Sequence, residues 1–375
     1  MSVTEDFFMK KHFIVWLFIL YFSCGLCSAV SPGNYYYKRK YTKEYIWTLE
    51  RLSRDKNVEV VSRVAQNPDC PKDLLLLFSE STDNLVRLGV ALNTNASKEL
   101  LHKLALNASY FSIAVASNPN CPKELFEEFH ATGSLDILCA MASNPACPKE
   151  LLLSLYENDN QKISVGIASN PDCPEKLLEL LSRSKTFNVR AAVAANPSTD
   201  KGVLDKLSRD ENIKVRLGVA SNTSCPEKLL QKLSGDKSIE IHHTVASNIN
   251  CPKKILDKFA CYEDSNMQLS ITRNPNCPDA VLERLSVSGN SAVRCSVGAN
   301  PNLHKNIMDT LSKDKDFKVR AALAGNPNCP EYLLEELSGD EAMEVRAAVA
   351  SNGIQLKNFT AKELIESVLI KKSDK

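Results

Sequence analysis

The sequence predicts an all-α fold, a solenoid of about twelve two-helix repeats, and three observations predict it. An asparagine recurs at Asn67, Asn93, Asn118, Asn144, Asn170, Asn196, Asn222, Asn248, Asn274, Asn300, Asn326 and Asn352, with ten of the eleven spacings at 26 residues and one at 25. Apolar residues stand seven and three positions before each asparagine. Proline punctuates the segment after it, most often as NPxCP. A period of this length marks repeats too small to bury their own apolar face, each relying on its neighbours for a core.

The first helix of a repeat is read from the residue seven before the asparagine, as in Val86, Ile163, Val215 and Val319, and the Val, Ile, Leu or Met three before it. The i, i+4 spacing puts both rows on one helix face. Ala or Gly beside them lets neighbouring backbones approach. The second helix follows the proline, with Pro71, Pro122, Pro148, Pro174, Pro226, Pro252, Pro278 and Pro330 placed in the first helical turn, where a missing N–H costs nothing. Leu333, Leu334 and Leu337 show the apolar stripe that comes next. Equivalent helices stacked roughly 9 Å apart give about 110 Å of contour for the array.

Residues 58–352 form this array. Residues 1–29 read as a secretory signal peptide: the apolar run FIVWLFILYF follows Met9, Lys10 and Lys11 and precedes SCGLCSA, with cleavage after Ala29. The competing reading is an uncleaved anchor over residues 13–30. Residues 30–57 form a linker and a capping half-repeat, in which Tyr41 to Asp55, with Trp47, Leu49 and Leu52, reproduces the second half of a repeat. Residues 353–375 hold a cap helix, Ala361 to Ile370, and the charged tail KKSDK.

The repeats resemble the leucine-rich repeat variant family, whose units read much like VRxxVAxNPxCPxxLLxxL, over about residues 58–352. The resemblance implies a right-handed superhelix of alternating α and 3₁₀ helices, without strands, related in style to HEAT and armadillo arrays. The repeats here are slightly longer than is common in that family. The family's best-known member carries an iron–sulfur cluster on a separate cysteine-rich N-terminal segment. This chain has no equivalent segment, so no cofactor is carried over.

The recurring polar residues read as structural. An asparagine beside a turn proline bonds backbone groups that the turn leaves unpaired. Cys70, Cys121, Cys147, Cys173, Cys225, Cys251, Cys277 and Cys329 fall three residues after their asparagines. Stacked equivalents roughly 8–10 Å apart cannot form disulfides, which need Cα atoms about 4.4–6.8 Å apart, nor can they converge on one zinc. They read as small buried hydrophobes. Arginine stands six before the asparagine in Arg87, Arg190, Arg216, Arg294, Arg320 and Arg346. An aspartate stands six earlier still in Asp210 with Arg216, Asp314 with Arg320 and Asp340 with Arg346. The pattern looks like the Asp–Arg ladder of HEAT repeats, in which the acid meets the base of the next repeat or its own; an anion-binding stripe is the alternative.

No phosphate loop, zinc motif or nucleophile elbow occurs, and of six histidines only His242 and His243 adjoin. Forty-six basic and 45 acidic residues leave a net charge of +1, which argues against nucleic acid as a partner. Loss of residues 1–29 removes two lysines and two acids and leaves that balance unchanged. The reading is a non-enzymatic, exported, monomeric scaffold that binds a protein or other macromolecule through residues such as the charged pairs after CP. It is secreted, periplasmic or at the cell surface, and meets a membrane only if residues 13–30 persist as an anchor. A redox or metal protein using the repeat cysteines, and an enzyme with a composite concave site, are the alternatives. Sequons stand at Asn95, Asn107, Asn222 and Asn358.

Overall fold

The chain is described by a computed structural model that covers residues 49–106 and 109–352. Ala29, the apolar run, Trp47, Asn107, Asn358 and the cap helix lie outside those residues. The array divides into two compact blocks, residues 1–222 and 223–375. Each is a helical repeat solenoid built from the same elements, and among the described residues no strand occurs. Among them, too, no helix is long and apolar enough to cross a membrane.

One repeat shows why the sequence folds this way. Its first helix, α1 (Gln161–Ser169), starts because the Asn160 side chain accepts the backbone N–H of Lys162 at 2.9 Å. Ile163, Ile167 and Ala168 form its buried face. It stops at Asn170, held at φ −70°, ψ 119°, an extended geometry that the following proline favours and that Asn93, Asn222 and Asn248 share without one. The Cys173 N–H then bonds the Asn170 carbonyl at 3.1 Å and closes a turn around Pro171. The second helix, α2 (Glu175–Leu181), follows, with Leu177, Leu178 and Leu181 buried against α1.

Two expectations are corrected here. Pro174 is the residue before α2 and not part of its first turn: its extended φ −56°, ψ 134° lies outside the helix, and its carbonyl accepts the Leu178 N–H at 3.0 Å. The second helices are α, not 3₁₀, among the described residues. The i, i+4 bond from Leu178 to Pro174 sets that geometry from the first turn, and Leu178 N–H to Pro174 recurs as Leu204 to Asp200 and Leu230 to Pro226.

The first helices pack closely upon one another. A Cβ built on Gly218 would lie 2.7 Å from the Ala191 carbonyl and 2.9 Å from the Ala194 Cβ. Only hydrogen fits at Gly218 without a shift, and most other repeats keep Gly, Ala or Ser at this position, such as Ala114, Ala140 and Ala192, with Arg63 and Thr244 the exceptions. The core runs beside this row: Phe111, Phe126, Met141, Leu152, Ile167 and Leu177 are all at most 1% exposed.

Candidate interaction surface

The repeated polar side chains are used internally. Asn170 donates through Nδ2 to the Ala142 carbonyl at 3.0 Å and the Asn144 carbonyl at 2.6 Å, both in the preceding repeat, and its Oδ1 accepts the Asp172 N–H at 2.9 Å. The same three bonds recur at Asn93, Asn118, Asn144 and Asn196, and in the second block at Asn274, Asn300 and Asn326. Asn222 and Asn352 donate to the preceding repeat's backbone in the same way. Asn67 and Asn248 accept the N–H two residues on, at 2.8 Å each. Helix ends leave carbonyls unpaired, and this row satisfies them across the repeat boundary.

A second row escapes the sequence reading. Two residues after the ladder asparagine, Asn120, Asn276, Asn302 and Asn328 donate to the preceding repeat's turn carbonyls at 2.5–2.8 Å, and Asn95 does the same to Pro68. Their recurrence in the sequence was a usable signal, since an amide in each of these turns is one more donor for the boundary.

The arginine ladder has a different register from the one expected. Arg294 Nε and Nη2 grip the Asp314 carboxylate at 2.7 and 3.0 Å, twenty residues on and in the next repeat. Arg190 grips Asp210 and Arg320 grips Asp340 in the same fork. The side-chain pairing of Asp210 with Arg216, Asp314 with Arg320 and Asp340 with Arg346 is therefore corrected. Within those pairs, arginine Nη1 donates to the aspartate's backbone carbonyl, at 2.9, 2.7 and 2.6 Å. The physical reason is reach: the guanidinium spans the loop ahead of its own helix and still presents two N–H groups to the next repeat. Where the base changes, so does the acid. His242 takes the arginine's place on the Asp236 carbonyl at 2.7 Å, and Tyr262, twenty residues on, replaces the carboxylate, the two rings 6.3 Å apart with Phe259 beside them.

These ion pairs are well covered, with side chains of Arg294 and Asp314 only 8% and 9% exposed. Arg320's hydrogen bonds hold the Asp340 carboxyl below its ordinary value. For Asp314, burial pushes upward, but the bonds from Arg294 and the Asp316 N–H outweigh it and the net shift is downward. A depressed folded value means that the stabilisation is present above about pH 4 and lost as pH falls through the folded value. Asp314→Asn should cost about 3 kcal/mol at neutral pH by leaving a covered guanidinium without its counter-charge. Denaturant midpoints should show this, along with a weaker dependence on acidification than in the parent chain.

The cysteine row is buried, every member at most 5% exposed. Burial pushes Cys147, Cys173, Cys225 and Cys251 up to about 12 and Cys70 and Cys329 up to about 11. Each of Cys121, Cys147, Cys173, Cys225, Cys251 and Cys277 points its thiol at the carbonyl of the following proline, at 3.6–3.9 Å. Off the row, Cys261 is exposed and Cys139 and Cys295 are partly so. Among the described residues no group of three His, Cys, Asp or Glu side chains stands ready to hold a metal.

With these rows committed inward, one surface left to bind is the remaining face of the first helices; the second helices expose single apolar side chains as well, such as Leu76, Leu153 and Leu180. Five residues before the asparagine, the first block carries Ser62 and then Leu88, Ile113, Cys139, Val165, Ala191 and Leu217, all partly exposed and, after Ser62, all apolar. Leu85, 44% exposed, widens this stripe at one end. The charged pairs after CP, such as Lys123 and Glu124 or Glu227 and Lys228, are exposed as expected, on the second helices. Of the described sequon asparagines, Asn222 is buried and occupied, whereas Asn95 is exposed.

The bonding between successive repeats within each block defines the class of protein: a helical repeat solenoid. No family model and no curated protein matches the chain. Among solved structures it is similar to a protein described as a leucine-rich repeat variant with a novel repetitive protein structural motif, 23% identical, covering 60% of this chain and 88% of that one, with a TM-score of 0.38.

Proposed function

We propose that the chain is a non-enzymatic, exported scaffold that binds a protein or other macromolecule through the first-helix face of its repeats. The observation that carries this reading is the contrast between rows. Asparagine, arginine, aspartate and cysteine recur and are spent on neighbouring repeats, while the row from Leu88 to Leu217 varies in size, is apolar, and is partly exposed. An apolar row that recurs from repeat to repeat and stays partly exposed is the kind of surface that interaction sites use. Export rests on the residue order of the N-terminal segment. The redox alternative is disfavoured by thiols that burial holds protonated, since thiolate is the reactive form.

Val165→Glu places a charge in the middle of the stripe at a position that already meets solvent. Affinity capture from the protein's native extract, run in parallel with the parent chain and this variant, should retain a common set of partners on the parent and lose it on the variant, at unchanged helicity. Equal capture by both would reject the stripe as the binding face.

A further inference from the structure

We infer that copies of this chain join head to tail, the Arg346 end of one seated on the Asp55 end of the next. The closing first helix of one array and the opening half-repeat of the other then make up one complete repeat.

The ladder supplies the chemistry. In each of its described rungs, an arginine forks onto an aspartate that lies twelve residues before the next repeat's asparagine, and that aspartate's Oδ1 also accepts the N–H two residues on: Asp210 from Asn212, Asp314 from Asp316 and Asp340 from Ala342. Asp55 stands twelve before Asn67 and accepts the Asn57 N–H at 2.7 Å. It has the local geometry of a ladder acid, but among the described residues no arginine side chain reaches it. Asp55 is exposed, whereas the side chains of Asp210, Asp314 and Asp340 are 8–10% exposed.

The apolar residues around Asp55 tell the same story. Leu52 is only partly buried, while its counterparts in later repeats, such as Leu104, Leu155 and Leu181, are at most 2% exposed. Val60 is likewise partly exposed where Val86, Ile163 and Val215 are at most 3% exposed. What covers the counterparts is a preceding first helix, and the face at Leu52, Asp55 and Val60 has none among the described residues.

At the other end, α3 (Met343–Ser351) is a first helix, and its Arg346 donates Nη1 to the Asp340 and Glu341 carbonyls at 2.6 and 2.9 Å, as ladder arginines do. The residue is 9% exposed, and its Nε is buried without a partner. A buried N–H on a charged group left in this state is costly, and a carboxylate removes the cost. The register fits: an arginine six residues before its asparagine at one end and an aspartate twelve before its own at the other are the two halves of a rung. The chain's own Glu366 lies twenty residues after Arg346 in the sequence, outside the described residues. A second copy serves Arg346 and covers the Leu52–Asp55–Val60 face together. The proposal departs from the monomer expected from the sequence.

Sedimentation velocity on the full chain tests this. The parent should gain mass with concentration, and more weakly at high salt. Asp55→Asn, at an exposed site that leaves the fold intact, should weaken association roughly tenfold, the worth of one charge-assisted bond pair. Asp55→Arg and Arg346→Glu should each abolish it. An equimolar mixture of those two variants should associate again, because one variant keeps the Arg346 end and the other keeps the Asp55 end. A single-copy mass for the parent at every concentration would overturn the proposal, as would association that Asp55→Asn and Asp55→Arg leave unchanged. So would a single-copy chain whose thermal stability falls on Glu366→Gln but not on Asp55→Asn, which assigns the rung to the chain's own tail.

Discussion

Asn170→Ala should destabilise the first block by about 3–6 kcal/mol, because one truncation strands three backbone groups at a position with 0% exposure. The Ala142 and Asn144 carbonyls lose their donor and the Asp172 N–H loses its acceptor. Asn170→Asp should be worse at neutral pH. It keeps the acceptor for Asp172 but turns the donor into a charged oxygen aimed at two carbonyls, a buried repulsion with no counter-ion. Denaturant unfolding followed by far-ultraviolet circular dichroism reads both. The block should unfold at lower denaturant in the order parent, alanine, aspartate. An aspartate variant as stable as the alanine variant would mean that the two carbonyls are not what the side chain serves.

The second large effect is alkaline. In the unfolded chain a thiol ionises near pH 8.5, whereas burial holds Cys121, Cys147 and Cys173 up to about 12 and Cys70 up to about 11 in the first block. A folded value raised above the unfolded one means that stability is intact below the unfolded value and lost as pH rises towards the folded value. Between the two, the unfolded block releases protons that the folded block keeps. With Cys139, which burial also pushes up to about 11, the block holds five such thiols, and stability should fall by up to about 7 kcal/mol per pH unit above about pH 9. Urea midpoints at about pH 8 and about pH 10, with a phosphine reductant present, should differ sharply, and replacing Cys121, Cys147 and Cys173 with alanine should flatten the difference. A midpoint indifferent to this pH change would show that the row thiols ionise freely in the folded state.

The repeat, its two helices and the burial of its cysteines are legible in the sequence because each rests on local periodicity. The apolar positions three and seven before Asn170 lie on the buried face, as their spacing requires. The structural role of the asparagine row is legible too, since a polar side chain beside a turn proline has backbone to satisfy. Its partners are not: the carbonyls of Ala142 and Asn144 lie 28 and 26 residues back, and a backbone acceptor leaves no mark on residue type. The helix-capping side chains Asn160, Asn212 and Asp316 were within reach of the usual start signals, and their regular place ten before the ladder asparagine is visible in retrospect.

The arginine ladder shows where one-repeat reasoning fails. Asp314 and Arg320 are closer in sequence than Arg294 and Asp314, yet the carboxylate belongs to Arg294. Pairing each acid with the arginine twenty residues earlier recovers Arg190 with Asp210 and Arg320 with Asp340 as well, and explains why His242 is followed by Tyr262. The binding stripe is the least legible feature. Its residues are ordinary small and aliphatic side chains, and only the knowledge that the asparagine, arginine and cysteine rows are spent between repeats sets them apart.

The central claim is that each repeat is held by bonds to the backbone of the one before it. Amide hydrogen exchange on the parent and Asn170→Ala measures this most directly. The account predicts that protection falls in α1 and also in the preceding first helix, Leu135–Ser143, whose final carbonyls Asn170 serves. Loss of protection confined to the turn at Asp172, with Leu135–Ser143 unchanged, would contradict it.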